Sequence, residues 1–146
     1  SFPEGQFLNL QDLIARHQLA PHPFEGHVRE VAHVPGESRE ILQALHGAEE
    51  AAWHKIDVPV TYRLEEGGPL IISVSSDETY ADSHRLIAPG HALMVEPGAA
   101  RTLTCLGAAV LFRITLTPDI GLTDRRLMPD DWFPPGGATP RTKRDG

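Results

Sequence analysis

A chain of 146 residues with 40% hydrophobic content has room for one compact domain with a useful core, and little room for a second. The net charge of −7 is unevenly spread, because the last thirteen residues, PPGGATPRTKRDG, hold three basic groups and one acid and leave −9 on the rest. Such a body repels nucleic acid, no apolar run approaches the roughly 20 residues that span a bilayer, and no charged-then-apolar leader opens the chain, so a soluble cytoplasmic protein is expected.

The sequence divides into an N-terminal extension over 1–7, one domain over 8–133, and a disordered Pro/Gly-rich basic tail over 134–146. The domain opens with a helix. Asn9 is a good N-cap, and Leu10, Leu13, Ile14 and His17 recur at i, i+3, i+4 and i+7, which predicts a helix from Leu10 to about Leu19 that Pro21 and Pro23 end. Beyond it no long segment keeps a helical period. Short alternating runs between Gly, Pro and Asp recur instead, at 27–34, 39–46, 53–64, 69–76, 92–96, 102–106 and 109–116. So many closely spaced strands in one domain predict a β-sandwich or β-barrel. Cys105 lies within such a run, where a single cysteine serves as a small hydrophobe.

The stretch APHPFEGHVRE, Ala20 to Glu30, crowds histidines, carboxylates and an arginine ahead of the first long strand. Alternation over 27–34 places Val28, Glu30, Ala32 and Val34 on one face and His27, Arg29, Val31 and His33 on the other. Glu30 is then a carboxylate among apolar neighbours, pointing into a core or a pocket, where it needs either a partner or a chemical task. In WHKIDVPVTYRL, His54, Ile56, Val58, Val60, Tyr62 and Leu64 share an apolar face that carries one imidazole and one phenol. These are groups suited to moving protons near neutral pH and polarising a carbonyl, although an inward His or Tyr also serves as a satisfied core residue. Pro59 marks a bend that threatens the register beyond it.

The opening PHPFEGHVRE resembles the PHPEGGYFRE-type opening of a family of small single-domain cupins. AAWHK, EEGGPL, VEPGAA and TLTPDIGLTDRRL fall where that family has its WHR, GxPL, PAG and PGFDFEDFEL-type segments, so that the resemblance runs from about residue 8 to 128. It implies an all-β, double-stranded β-helix (jelly-roll) barrel with a short N-terminal helix, a homodimer, and a ligand pocket in the barrel mouth; related barrels include keto-deoxysugar epimerases that work with a His/Tyr pair and no metal. The chain departs from the family at PVTYR (59–63), where an acidic pair and a further His are usual, at GAARTL, and at PDIGL.

Metal-binding cupins are similar to one another in an H-x-H pair, a following Glu and a His on an opposite strand. Here Ile56 stands two positions after His54, and Ala99, Ala100 and Arg101 follow Pro97 and Gly98, so the usual metal site cannot form; His22, His27, His46, His84 and His91 are scattered. No G-x-S-x-G elbow or phosphate loop is present.

The expected function is therefore that of a metal-independent cupin without a cofactor. It binds a small oxygen-rich carbonyl, sugar-like or secondary-metabolite compound and catalyses proton transfer, as in isomerisation, dehydration or cyclisation. His54 and Tyr62 are the expected acid-base pair and Glu30 the group that sets the imidazole. Arg29 as a rim residue, or Arg101 at the barrel mouth, holds an anionic oxygen, with Ile56 and Val60 as apolar wall. Two alternatives stand beside it: a non-catalytic ligand-binding or structural cupin, and a metal-dependent oxygenase or decarboxylase whose ligands come from elsewhere.

Overall fold

The computed structural model describes residues 8–118 and 125–139. The N-terminal extension, the middle of the TLTPDIGLTDRRL segment and the last seven residues of the basic tail lie outside the described residues. The described residues form one helix, α1 (Leu10–His17), and twelve strands: β1 (Ala20–Pro21), β2 (His27–Val34), β3 (Ser38–His46), β4 (His54–Lys55), β5 (Val60–Gly67), β6 (Leu70–Ser75), β7 (Ala81–Leu86), β8 (Ala92–Val95), β9 (Ala100–Cys105), β10 (Ala109–Leu116), β11 (Arg126–Leu127) and β12 (Ala138–Thr139).

Two six-stranded sheets face each other, in the orders β1-β2-β3-β10-β5-β8 and β11-β4-β9-β6-β7-β12, and make the expected jelly-roll barrel. The pairings are antiparallel except β12 with β7. Ile41, Leu45, Val60, Leu64, Leu70, Ile72, Leu103, Cys105, Val110, Phe112, Ile114 and Leu116 fill the space between them. Among the described residues no helix is long and apolar enough to cross a membrane.

The alternation of strand side chains explains why β3 is buried on both faces. Ile41, Gln43 and Leu45 point between the sheets, whereas Leu42 and Ala44 point outward and are covered by Leu13 and Leu19 at the helix and its exit. The helix is shorter than its periodicity suggested. Gln18 takes a left-handed conformation and its N–H bonds Ile14 O, so the chain turns and tucks Leu19 under the sheet instead of adding another turn. At the other end Asn9 Oδ1 accepts from Asp12 N at 3.0 Å, the predicted cap.

The run 53–64 is two strands, not one. Pro59 has no N–H for a ladder, and across it the chain passes from β4 in the second sheet to β5 in the first. β7 has no counterpart among the predicted strands because ADSHRL carries no apolar run; it pairs with β6 from Leu70↔Leu86 to Val74↔Asp82. Residues 134–139, assigned by composition to the tail, include a buried Pro134 and β12 beside β7.

Leu13, fully buried, is the main anchor of the helix on the outer face of β3 and β10. Leu13→Ala is expected to cost about 2–5 kcal/mol in urea unfolding, because the rigid sheet beneath cannot collapse into the space left. A loss below 0.5 kcal/mol would mean the helix contributes no packing.

Candidate functional site

The barrel interior holds a buried polar cluster. Each member owes its place to local rules. His54 and Arg101 are direct partners across β4 and β9 and therefore point to the same side. That side is inward, since Leu103 and Cys105, two and four residues beyond Arg101, lie in the core. Tyr62 is brought in by the same alternation along β5, between Val60 and Leu64. His54, Tyr62 and Arg101 are respectively 2%, 2% and 0% exposed.

Arg101 organises this half of the cluster. Its Nε and Nη2 donate to Ala99 O at 3.2 and 3.0 Å, Nη2 also to Glu96 O at 3.2 Å, and Nη1 to the Tyr62 hydroxyl at 3.3 Å. All of these acceptors are uncharged. Since Tyr62 Oη accepts from Arg101, its own hydrogen is left to donate elsewhere. Burial pushes the phenol pKa up, against the opposing pull of Arg101, so Tyr62 stays protonated at neutral pH.

The His54 ring is fixed in one tautomer. Ala52 O, 2.7 Å from Nδ1, can only accept, so Nδ1 carries the hydrogen and Nε2 the lone pair. Burial, then the nearby Arg125 and Arg101 charges, lower its pKa to about 3 against the raising effect of the Ala52 bond. The imidazole is thus neutral at pH 7, but weakly basic.

The other half of the cluster is an ion pair that sequence reasoning missed. Arg125 Nη2 and Nη1 donate to Glu25 Oε1 and Oε2 at 2.6 and 3.0 Å, with side chains 1% and 6% exposed. Gln43 Nε2 donates to Glu25 O at 2.9 Å, and Phe24 covers the guanidinium face, 4.1 Å from Cζ to the ring centroid. Gly26 makes this turn possible: its φ is +68°, and a Cβ there would meet Ala44 O at 2.5 Å. Its N–H is held by Glu49 Oε2 at 2.8 Å. Next to the pair, His22 Nδ1 accepts from Phe24 N at 3.1 Å, and burial lowers the His22 pKa.

The expected site residues thus separate. His54, Tyr62 and Arg101 come together, and Ile56 and Val60 are buried beside them in the core. Arg101, expected at the barrel mouth, is fully buried, because β9 starts at Ala100 and sends its side chain inward. Glu30 does not join them, and this corrects the expectation of an inward carboxylate. It does pair with Ile41 across β2 and β3, but there the strand runs past the core; its side chain is 44% exposed and binds Arg39, with His33 at 3.9 Å. A bulge between Glu30 and Ala32 then breaks the alternation that would have buried Ala32 and Val34. Arg29 is likewise outside, donating from Nη1 to His17 O at 3.2 Å, where it caps the helix C-terminus.

Two surface clefts lie elsewhere: one of about 630 Å³ along β6 and β7, lined by Asp77, Tyr80 and His84, and one of about 590 Å³ between β7 and β8. Neither carries the paired base, phenol and guanidinium of the interior. Among the described residues no three His, Cys, Asp or Glu side chains converge as metal ligands. Among the described residues the interior offers one imidazole beside two guanidinium groups, with its one carboxylate, Glu25, already paired to Arg125, a donor set that does not fit a metal dication.

No protein-family model matches the chain. No curated protein sequence matches it either. Solved structures do share its fold. A hypothetical protein from Leishmania major superposes with a TM-score of 0.73 at 16% identity, covering 83% of this chain and 88% of its own. A protein from Shewanella oneidensis gives 0.71 at 19%, covering 83% and 85%. The oxalate decarboxylase of Lactobacillus farciminis, solved as a formate complex, gives 0.63 at 15% over 75% of this chain, which spans only 33% of that enzyme. The neighbours therefore include cupin proteins, and the chain shares their barrel.

The depressed His54 pKa has a thermodynamic consequence. Between about pH 3 and 6.5 the unfolded chain protonates this imidazole and the folded one does not, so its contribution to stability is complete above pH 6.5 and falls as pH drops through that window. In urea unfolding at pH 7, 6, 5 and 4, His54→Gln is expected to flatten the acid loss of stability by up to about 1.4 kcal/mol per pH unit. Identical slopes in the two proteins would show that His54 is not buried neutral.

Proposed function

We propose that the protein is a metal-independent enzyme of the cupin barrel type that binds a small carbonyl compound in the barrel interior and moves a proton on it. The observation that carries this reading is the arrangement about Arg101: a neutral imidazole locked with its Nε2 lone pair free of the ring proton, and a protonated phenol with its hydroxyl hydrogen left to donate. A base and a hydrogen-bond donor beside one cation are what abstraction of a proton next to a carbonyl requires. In this reading His54 Nε2 takes the proton from the carbon, Tyr62 donates a hydrogen bond to the oxygen that becomes an enolate, and Arg101 stabilises the developing charge through that phenol. Ile56 and Val60 supply dry wall that strengthens these contacts. Isomerisation and dehydration both begin with this step.

The alternative of a binding module without catalysis predicts the same burial but no dependence of chemistry on His54. Deuterium exchange separates the two without a known product. Wild-type protein in D2O is expected to speed exchange at the carbon next to the carbonyl of 2-oxobutanoate or hydroxyacetone above the buffer rate, as read by proton NMR. His54→Gln should slow it by roughly 10²- to 10⁴-fold while the protein stays folded, and Tyr62→Phe should slow it less. Exchange at the buffer rate with both compounds, or a folded His54→Gln protein as fast as wild type, would leave the binding-module reading in front.

A further inference from the structure

We propose that the open edge of the Arg125 guanidinium, its Nε–H together with the second hydrogen of Nη2, receives the carboxylate of a small carbonyl acid, with Glu25 as the positioning residue that holds this fork in place. The inference rests on the proton-transfer reading and gives it a substrate class.

Arg125 has five N–H groups, and the structure accounts for only part of them. Nη1 and Nη2 each give one hydrogen to Glu25 in an end-on pair. The ring of Phe24 covers one face of the guanidinium. Nε is buried and has no acceptor among the described residues. Such an orphaned donor is costly in a folded protein unless something satisfies it. Nε lies on the same edge of the planar group as the outer hydrogen of Nη2, and that edge is the second fork by which an arginine grips a carboxylate with two parallel bonds.

The charges point the same way. The interior cluster holds two buried cations, Arg101 and Arg125, and one buried carboxylate, Glu25; the hydrogen-bond acceptors of Arg101 are all uncharged. Among the described residues one positive charge is therefore left over in a low-dielectric space, and one anion neutralises it. Both cations act electrostatically on His54, so an acid held on the Arg125 edge enters the same field that already reaches the proposed base. A neutral sugar satisfies neither the charge nor the two-point geometry.

The test uses the intact protein with two probes that differ in charge and little in shape, 2-oxobutanoate and 2-oxobutanamide. The keto acid is expected to bind at least about tenfold more tightly in calorimetry and to shift the Arg125 Nε–H resonance of the wild-type protein, a measurement that needs no variant. Arg125→Lys, which keeps the charge but loses the fork, should weaken keto-acid binding at least about tenfold and leave amide binding nearly unchanged. Equal affinity for the two probes, an Arg125 resonance unmoved at saturation, or a folded Arg125→Lys protein with wild-type affinity would overturn the assignment. If in that case His54-dependent exchange into neutral hydroxyacetone persists, only the carboxylate inference falls. If neither probe binds and hydroxyacetone exchanges at the buffer rate, the proton-transfer reading falls with it.

Discussion

The buried pair of Glu25 and Arg125 is the constraint around which the rest of the interior is arranged. It joins positions 100 residues apart, one just ahead of β2 in the first sheet and one leading into β11 in the second. Taking two charges out of water is expensive, and only the two-point geometry with the support of Gln43 on the Glu25 turn offsets it. Removing either partner leaves the other charge buried and costs about 3–5 kcal/mol, so the pair ties the turn ahead of β2 to the approach to β11.

That pair also sets the electrostatics of the site. Arg125 is the largest charge acting on His54, ahead of Arg101, and both push the imidazole toward its neutral form in the direction in which burial already drives it. Tyr62 is held protonated by burial against the pull of Arg101. The two titratable groups of the proposed chemistry are therefore uncharged together over a wide range around neutral pH, and the cations carry the net charge. Ion pairs at the surface, such as Arg16 with Glu66, are half exposed and add little by comparison.

How much of this was legible in the sequence depends on what alternation can and cannot see. His54, Ile56, Val60, Tyr62 and Leu64 all face inward as counting by twos predicted, because β4 and β5 line the same interior although Pro59 sends them to opposite sheets. Glu30 shows the limit. Its parity with Ile41 is right, but parity does not reveal where the core stops, and the strand has already left it. The expectation of Arg101 at the barrel mouth misses its burial, since the predicted run covers only 102–106 while the ladder starts at Ala100 and takes Arg101 in with it. Glu25 and Arg125 were invisible for another reason: neither lies in a periodic run, and no local pattern links residues so far apart. The one available signal was that each falls inside a segment resembling a cupin motif, PHPFEGHVRE for the acid and TLTPDIGLTDRRL for the base.

A base held near pKa 3 is a poor proton acceptor, and this weakness is informative about the chemistry proposed. Two of the causes are cations, and an anion bound on the Arg125 edge opposes their field, so the imidazole gains basicity only when the site is filled. Desolvation is the largest cause and persists, because a ligand that fills the interior keeps water out. The same anion acts on Tyr62 with the opposite consequence: it offsets the positive field that lowers the phenol's pKa and makes the hydroxyl a weaker acid. Full transfer from Tyr62 thereby becomes harder as abstraction by His54 becomes easier. The phenol's part is then to donate a hydrogen bond to the developing enolate oxygen, with Arg101 polarising that bond from the other side, and the proton returns to the substrate from the imidazolium that received it.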